Sequence, residues 1–307
     1  MSGVVLEVVH ETRYAYAAPV SLAHHLAYLK PLADASQQLQ GFALAVTPQP
    51  DAMSDGTDAA GNSRHHFSLL RPHETLAVRA ASRVLLLPRF AALDPTASPP
   101  WDLLAERLRY VGGAPFQPAV EYAMPSPYVP RLDTLRAWAA TSFAPGRPVA
   151  EAALDLMHRV HREFTYDGKS TDVDTPLAES FGKRHGVCQD FAHVMACALR
   201  MHGLPARYVS GYLLTQAPGG GPPMVGADAS HAWVQAWCPG TPGVPADGWL
   251  DLDPTNDVIP STSHVRVAVG LEYGDVAPLR GVIRGGGNHT LAVAVTTRAV
   301  GPIVASA

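Results

Sequence analysis

Residues 186 to 212, GVCQDFAHVMACALRMHGLPARYVSGY, place a cysteine at the start of a predicted helix. Behind Cys188, apolar residues recur three and four positions apart, which is typical of a helix that packs one side against a core. Gly203 and Pro205 end that helix, and residues 206 to 214 predict a strand rich in β-branched and aromatic residues. Cys188 therefore lies on a first helical turn, where free backbone N–H groups and the helix dipole stabilise a thiolate.

A cysteine near a helix start is usually a small buried hydrophobic residue, so a chemical role depends on partners elsewhere in the chain. SHAWVQAW at 230 to 237 alternates like a strand and carries His231 near its start. WLDLDPT at 249 to 255 predicts the next strand, which ends at Asp253 before a proline. Thiol catalysis needs a base for the thiol proton and a third group that orients the imidazole. Cys188, His231 and Asp253 supply one candidate for each role.

Composition limits the class of protein and its partners. A chain of 307 residues with 47% hydrophobic and 16% charged residues is typical of one large or two ordinary globular domains. The formal net charge of −4 and the absence of a basic cluster argue against nucleic acid as a partner. Three irregularly spaced cysteines do not form a disulfide framework and favour a reducing compartment. The first residues show no signal peptide or membrane helix, so we expect a cytoplasmic protein with no membrane contact.

The pattern of elements predicts an α+β fold in three parts. Residues 1–90 contain short predicted strands separated by turn signals such as Gly61-Asn62, which is typical of an antiparallel β-sandwich. Residues 91–148 are rich in proline and predict a helical connector packed on the core. Residues 149–307 begin with a strong helix pattern and predict an α+β catalytic core with C-terminal strands.

Histidine pairs in the sequence do not predict a metal site. Adjacent strand residues point to opposite faces of a sheet, and two histidines on one helix lack a third nearby ligand. The pairs are His24 and His25, His65 and His66, and His158 and His161. A zinc ion bound by Cys188, His231 and Asp253 is an alternative interpretation, since all three are acceptable zinc ligands.

Four motifs of the C-terminal half resemble the core of the transglutaminase-like superfamily, whose members have a papain-like fold. They are GVCQDFAH at 186 to 193, the GLPARYVSGYL that follows, SHAWVQAW at 230 to 237 and GWLDLDPTND at 248 to 257. HETRYAY near the start, the DAAGN turn and VAVGLEYGDVAPLRGV near the end resemble the bacterial branch with an N-terminal transglutaminase-like β domain. The resemblance covers nearly the whole chain and implies Cys188 as nucleophile, His231 as base and Asp253 as orienting acid. It implies no cofactor.

Two assignments stay open at this point. Asp251 lies two residues before Asp253 on the same predicted strand face, so either carboxylate can meet the histidine, although the DPT motif favours Asp253. The backbone N–H of Cys188 is one oxyanion donor by position, and Tyr166 or Gln189 is the candidate for the second.

The resemblance implies attack on a carboxamide or peptide carbonyl and a thioester intermediate. Water as the second nucleophile gives a protease or amidase, and an amine gives a protein-glutamine transglutaminase; the same residues serve both. We expect hydrolysis of a protein or peptide substrate, with amine transfer and a non-catalytic binding module as alternatives. The Gly/Pro-rich segment 215–229 before His231 predicts either a mobile flap or a plain surface loop. Substrate identity and oligomeric state do not follow from the sequence.

Overall fold

Two antiparallel sheets, with helices packed on the smaller one, give the chain the predicted α+β fold. The computed structural model describes residues 2–113, 115–168, 174–214, 224, 230–300 and 304–305. The strands are β1 (Ser2–Ala27), β2 (Gln37–Thr47), β3 (Ala52–Thr57), β4 (Ser63–Leu69), β5 (His73–Leu86), β6 (Thr165–Tyr166), β7 (His185–Gly186), β8 (Ala206–Leu213), β9 (His231–Trp237), β10 (Trp249–Leu252), β11 (His264–Gly270), β12 (Leu279–Gly285), β13 (His289–Ala299) and β14 (Val304–Ala305). The helices are α1 (Trp101–Arg107), α2 (Asp133–Ala139), α3 (Val149–Glu163), α4 (Leu177–Lys183), α5 (Cys188–Met201) and α6 (Tyr273–Val276). No helix of the described residues has both the length and the apolar character needed to cross a bilayer.

The larger sheet is organised around β1, a strand of 26 residues. The first half of β1 pairs with β5 and the second half pairs with β4. Its register shifts between Ala15 and Val20, so the strand changes direction there. Buried residues from β1, β4 and β5 share one core within this antiparallel sheet. Several strands predicted as separate short runs are therefore segments of two long strands, β1 and β5.

The C-terminal strands return to the N-terminal sheet. We predicted them as part of the catalytic unit 149–307, but β12, β13 and β14 all pair antiparallel with β1. Without them, one edge of β1 would expose a row of unpaired backbone groups, and the returning chain covers it. The division into residues 1–90, 91–148 and 149–307 otherwise stays a prediction.

The smaller sheet has the order β10-β9-β8-β11 and packs against α5. Helices α2, α3 and α4 contact the other sides of α5, and every residue from Cys188 to Arg200 is buried. The sequence predicted that only one face of this helix is buried. All faces of α5 are buried because the smaller sheet and the three helices together surround it. Polar residues of α5 then need internal partners, and Arg200 donates hydrogen bonds to the carbonyls of Ala206 and Leu271.

Two side-chain amides, one from β2 and one from the turn between β3 and β4, cover the free edge of β11. Gln37 exchanges hydrogen bonds of 2.7 and 2.8 Å with the carbonyl and N–H of Arg266. The Asn62 amide donates to the carbonyl of Val269 and accepts from its N–H, each at 2.8 Å. Both amides are buried, so they replace a neighbouring strand for these backbone groups.

The Asn62 amide is aimed at β11 by the turn that the DAAGN motif predicted. The Asp58 carboxylate accepts hydrogen bonds from the Asn62 backbone N–H at 2.9 Å and from its side-chain nitrogen at 2.8 Å. Gly61 has φ of +85°, a conformation that favours glycine. The turn therefore serves the contact between the two sheets.

We expect Asn62→Ala to lower the free energy of unfolding by about 1–3 kcal/mol, because it leaves the buried N–H and C=O of Val269 without partners. Asn288→Ala is the matched control: its side chain is exposed, so we expect a change within about 0.5 kcal/mol. Urea denaturation followed by tryptophan fluorescence measures both. Equal stability of the two variants would contradict the bridging role of Asn62.

Candidate active site

Cys188 is the first residue of α5, and the chain enters the helix through a constrained turn. Val187 precedes it in an extended conformation and donates its backbone N–H to the Asp190 carboxylate at 2.9 Å. That carboxylate lies on the first helical turn, where it also complements the helix dipole. A Cβ atom at Gly186 would lie 2.5 Å from an Asp190 oxygen, so the turn requires glycine. The Cys188 side chain is buried at the point where the helix begins.

Tyr166 and Gln189, the two candidates for a second oxyanion donor, are near the start of α5. Tyr166 lies in β6, which pairs in parallel with Gly186 in β7, and its ring is 6.4 Å from that of Phe191 on α5. Gln189 follows the cysteine and is buried. The assignment of either one as an oxyanion donor stays a prediction.

His231 and Asp253 meet at the end of the smaller sheet. His231 begins β9 opposite Gly211 of β8, and Asp253 follows the last residue of β10. The Nε2–H of His231 donates to Oδ2 of Asp253 at 2.8 Å, and both side chains are fully buried. The flap predicted at 215–229 lies outside the described residues, apart from position 224.

Asp251, the alternative carboxylate, contacts different groups. It accepts a hydrogen bond from the Trp233 indole at 2.9 Å and forms a buried ion pair with Arg89. The two acids diverge because β10 ends between them and Asp253 begins a turn that bridges to Val258. Of the two candidates, Asp253 is therefore the one that contacts His231.

The Asp253 carboxylate accepts hydrogen bonds from five N–H groups. Its Oδ1 accepts from the backbone N–H groups of Thr255 and Asn256 at 2.9 and 3.2 Å. Its Oδ2 accepts from His231, from the Asn256 side chain at 2.8 Å and from His264 at 3.1 Å. Burial alone would raise the pKa of Asp253, but the two histidines outweigh it and hold that pKa well below its usual range. Asp253 is therefore ionised at neutral pH.

Helix α3 supports the turn that follows Asp253. The Nδ1 atom of His161 hydrogen-bonds with the Thr255 carbonyl at 3.0 Å, and His158 pairs with Asp257. Both histidines were predicted to be structural rather than metal ligands, and these contacts assign them to fixing the turn.

The protonation of His231 depends on its two neighbours. Burial would lower the pKa of His231, but Asp253 and the Cys188 thiol outweigh it and raise the pKa to about 10. The Nδ1 atom has no fully formed hydrogen bond within the described part of the chain. Since Nε2 donates to Asp253, Nδ1 is the atom that takes the thiol proton, and the raised pKa of His231 favours the imidazolium beside a thiolate. Hydrogen bonds of this kind are often long until substrate binds.

Sequence reasoning missed His264 and Asn256, which both contact Asp253. A signal for His264 was present: Ser263-His264 precedes an alternating apolar run, as Ser230-His231 does. The two histidines begin β11 and β9, which flank β8, so the fold brings them to one end of the sheet.

His231, Asp253 and His264 also have the residue types of a metal site, and their ligand atoms all lie within 4.8 Å of one another. The hydrogen bonds to Asp253 Oδ2 already account for both Nε2 atoms. The zinc interpretation raised from the sequence used Cys188 in place of His264. Metal analysis of the purified protein tests both sets.

Comparisons with known proteins give two family matches and several relatives. Residues 6–85 match the bacterial transglutaminase-like N-terminal region, and residues 136–254 match the transglutaminase-like superfamily. Uncharacterized protein Rv2569c of Mycobacterium tuberculosis (strain ATCC 25618 / H37Rv) is 37% identical over 279 residues, which are 90% of this chain and 86% of the relative. Uncharacterized protein ML0607 of Mycobacterium leprae (strain TN) is 31% identical over 294 residues, 94% of this chain and 97% of the relative.

Two further matches carry descriptive names. A protein-glutamine gamma-glutamyltransferase of Pseudomonas aeruginosa is 36% identical over 132 residues, which are 42% of this chain and 18% of that protein. The crystal structure of a Cytophaga hutchinsonii protein, provisionally named a cysteine protease, has a TM-score of 0.73 and 19% identity, and the match covers 99% of this chain and 93% of the other. That likeness shows a shared fold. Members of the matched superfamily are generally cysteine-dependent enzymes. Two family matches and relatives of nearly full length show that this chain belongs to the transglutaminase-like superfamily.

Proposed function

We propose that this chain is a cysteine-dependent acyl-transfer enzyme that acts on amide or peptide bonds. Cys188 is the nucleophile, His231 the general base and acid, and Asp253 the group that orients the imidazole. The proposed substrate is a protein or peptide, and the proposed reaction is hydrolysis.

One observation carries the proposal. The Nε2–H of the buried His231 donates to the buried Asp253 at 2.8 Å, which leaves Nδ1 as the proton acceptor. Helix α5, which begins at Cys188, packs against β9, which begins at His231, and the Cys188 side chain contributes to the raised pKa of His231. A carboxylate that holds one tautomer of a histidine beside a thiol is the arrangement that thiol catalysis needs.

In the acylation step, Nδ1 of His231 holds the proton taken from the thiol, and the Cys188 sulfur attacks the substrate carbonyl carbon. Asp253 stabilises the imidazolium that forms, because its carboxylate accepts the Nε2–H hydrogen bond. The carbon–nitrogen bond then breaks, His231 returns the proton to the departing amine, and a thioester remains on Cys188.

In the deacylation step, a second nucleophile loses its proton to His231 and attacks the thioester. The sulfur–carbon bond breaks, the acyl group leaves on the second nucleophile, and the Cys188 sulfur again shares the proton that His231 has taken. Water is the acceptor unless the site excludes it, so we propose a hydrolase. Amine transfer is the second candidate, because the Pseudomonas aeruginosa relative named a gamma-glutamyltransferase matches 42% of this chain.

We expect Cys188→Ala to abolish turnover in a peptide-library screen read by mass spectrometry, because the variant has no nucleophile. Cys238→Ala removes a buried thiol at the end of β9 and should retain turnover. Product formation by the wild type without any added amine indicates a hydrolase, and products that carry an added primary alkylamine indicate a transferase. Undiminished turnover by Cys188→Ala would exclude the mechanism.

We expect iodoacetamide at pH 7 to label Cys188 at least about tenfold faster than the other two cysteines, because alkylation requires the thiolate. Burial raises the pKa of Cys197 and that of Cys238 to about 12, so very few of these thiols are ionised at pH 7. Peptide mapping after timed labelling measures the three rates. Equal rates would count against a catalytic Cys188.

We expect Asp253→Asn and Asp251→Asn to have different effects. Loss of the Asp253 charge destabilises the imidazolium of His231, so alkylation of Cys188 at pH 7 should slow at least about tenfold. Asp251→Asn leaves Arg89 buried without its partner and should cost about 3–5 kcal/mol of unfolding free energy. Its alkylation rate, measured on the folded protein, should stay near that of the wild type. The opposite pattern would assign the orienting role to Asp251.

A further inference from the structure

A second histidine contacts the carboxylate of the proposed triad. His264 begins β11, is almost completely buried, and its Nε2 atom lies 3.1 Å from Oδ2 of Asp253. This is the same oxygen that His231 contacts at 2.8 Å. Its other ring nitrogen, Nδ1, lies 2.9 Å from the hydroxyl oxygen of Ser263. Both ring nitrogens of His264 therefore have defined partners.

The partners determine which ring nitrogen of His264 carries the proton. An ionised carboxylate only accepts hydrogen bonds, so Nε2 of His264 must be the N–H donor to Asp253. Burial lowers the pKa of His264, which leaves the ring neutral at pH 7. Nδ1 of the neutral ring is then an acceptor, and the Ser263 hydroxyl donates to it. The hydrogen bonds run in one direction, from Ser263 through His264 to Asp253.

The neutral state of His264 matters for the triad. The titratable groups that act on its ring are Asp253, His231 and Asp251, and Arg89 and Arg266 line a small cavity beside it. A positive charge on His264 would oppose the positive charge that His231 must acquire. A neutral donor holds the Asp253 oxygen in place without adding a second cation beside it.

We propose that His264 is a positioning residue, which holds Oδ2 of Asp253 in line with His231 and so keeps Nδ1 of His231 directed at Cys188. This inference rests on the proposed function. The His264 ring also meets Trp233 edge-on, with ring centroids 5.3 Å apart. Its replacement can therefore affect packing, and a test must separate packing from the hydrogen bond.

The test compares two replacements of His264 by the pH dependence of Cys188 alkylation with iodoacetamide. His264→Phe keeps an aromatic ring against Trp233 and removes the donor. His264→Gln restores a donor, since its amide nitrogen can lie near the position of Nε2. We expect the phenylalanine variant to react about tenfold more slowly at pH 7. The pH of half-maximal reactivity should rise by about one unit, because the imidazolium of His231 is less stabilised. The glutamine variant should stay within about threefold of the wild type.

Two further variants complete the design. His25→Phe replaces a buried histidine of the larger sheet that stacks on Phe67, and its pH profile should match that of the wild type. Ser263→Ala removes the donor to Nδ1 of His264 and should shift the profile in the same direction as His264→Phe, by a smaller amount. If His264→Phe does not fold, the pH profile of Ser263→Ala still tests the positioning role of His264.

The possible outcomes separate this inference from the proposed function. A wild-type Cys188 that reacts no faster than Cys197 defeats the proposed function and this inference with it. A reactive wild type with an unshifted His264→Phe profile overturns the positioning role alone, and so does a glutamine variant as slow as the phenylalanine variant. One equivalent of zinc in the wild type that both His264 variants lose also overturns it, because His264 would then be a metal ligand.

Discussion

Asp253 carries a negative charge in a position without access to water, and the surrounding chain is arranged to stabilise it. Burial of a carboxylate costs about several kcal/mol unless hydrogen-bond donors replace its hydration. Five N–H groups do so here, from the turn that follows Asp253 and from two histidines. The same contacts define the turn, join β10 to β9 and β11, and orient His231. One electrostatic requirement therefore links the local fold to the proposed chemistry.

The larger, N-terminal sheet also supports the surroundings of Asp253, although Asp253 itself lies at the end of the smaller sheet. Gln37 and Asn62 hold the free edge of β11, the strand that begins with His264. A strand held on one edge by β8 and on the other by these two amides has little freedom to shift. The sheet that the sequence predicted as a separate unit thus braces a residue that touches the candidate active site. The C-terminal strands, which pair with β1, strengthen the same unit.

Much of the site could be predicted from sequence because its chemistry is encoded locally. A glycine, a cysteine and an apolar periodicity suffice to place Cys188 at a helix start, since helix signals depend on near neighbours. The strand beginning at His231 and the carboxylate before a proline follow from alternation and turn chemistry. The helix predicted to begin at Cys188 is α5, and the helix pattern predicted at the start of residues 149–307 is α3.

Contacts between distant segments were not predictable in this way. The choice between Asp251 and Asp253 depended on where β10 ends, because that point decides which acid turns toward His231 and which faces Trp233 and Arg89. The role of His264 depended on the order of strands in the sheet, and the pairing of β12 to β14 with β1 depended on an open strand edge. The sequence by itself determined the elements and the reactive residue types, because these follow from periodicity and side-chain chemistry. Only the tertiary structure decided which of those residues meet, because burial and strand order join groups far apart in the chain.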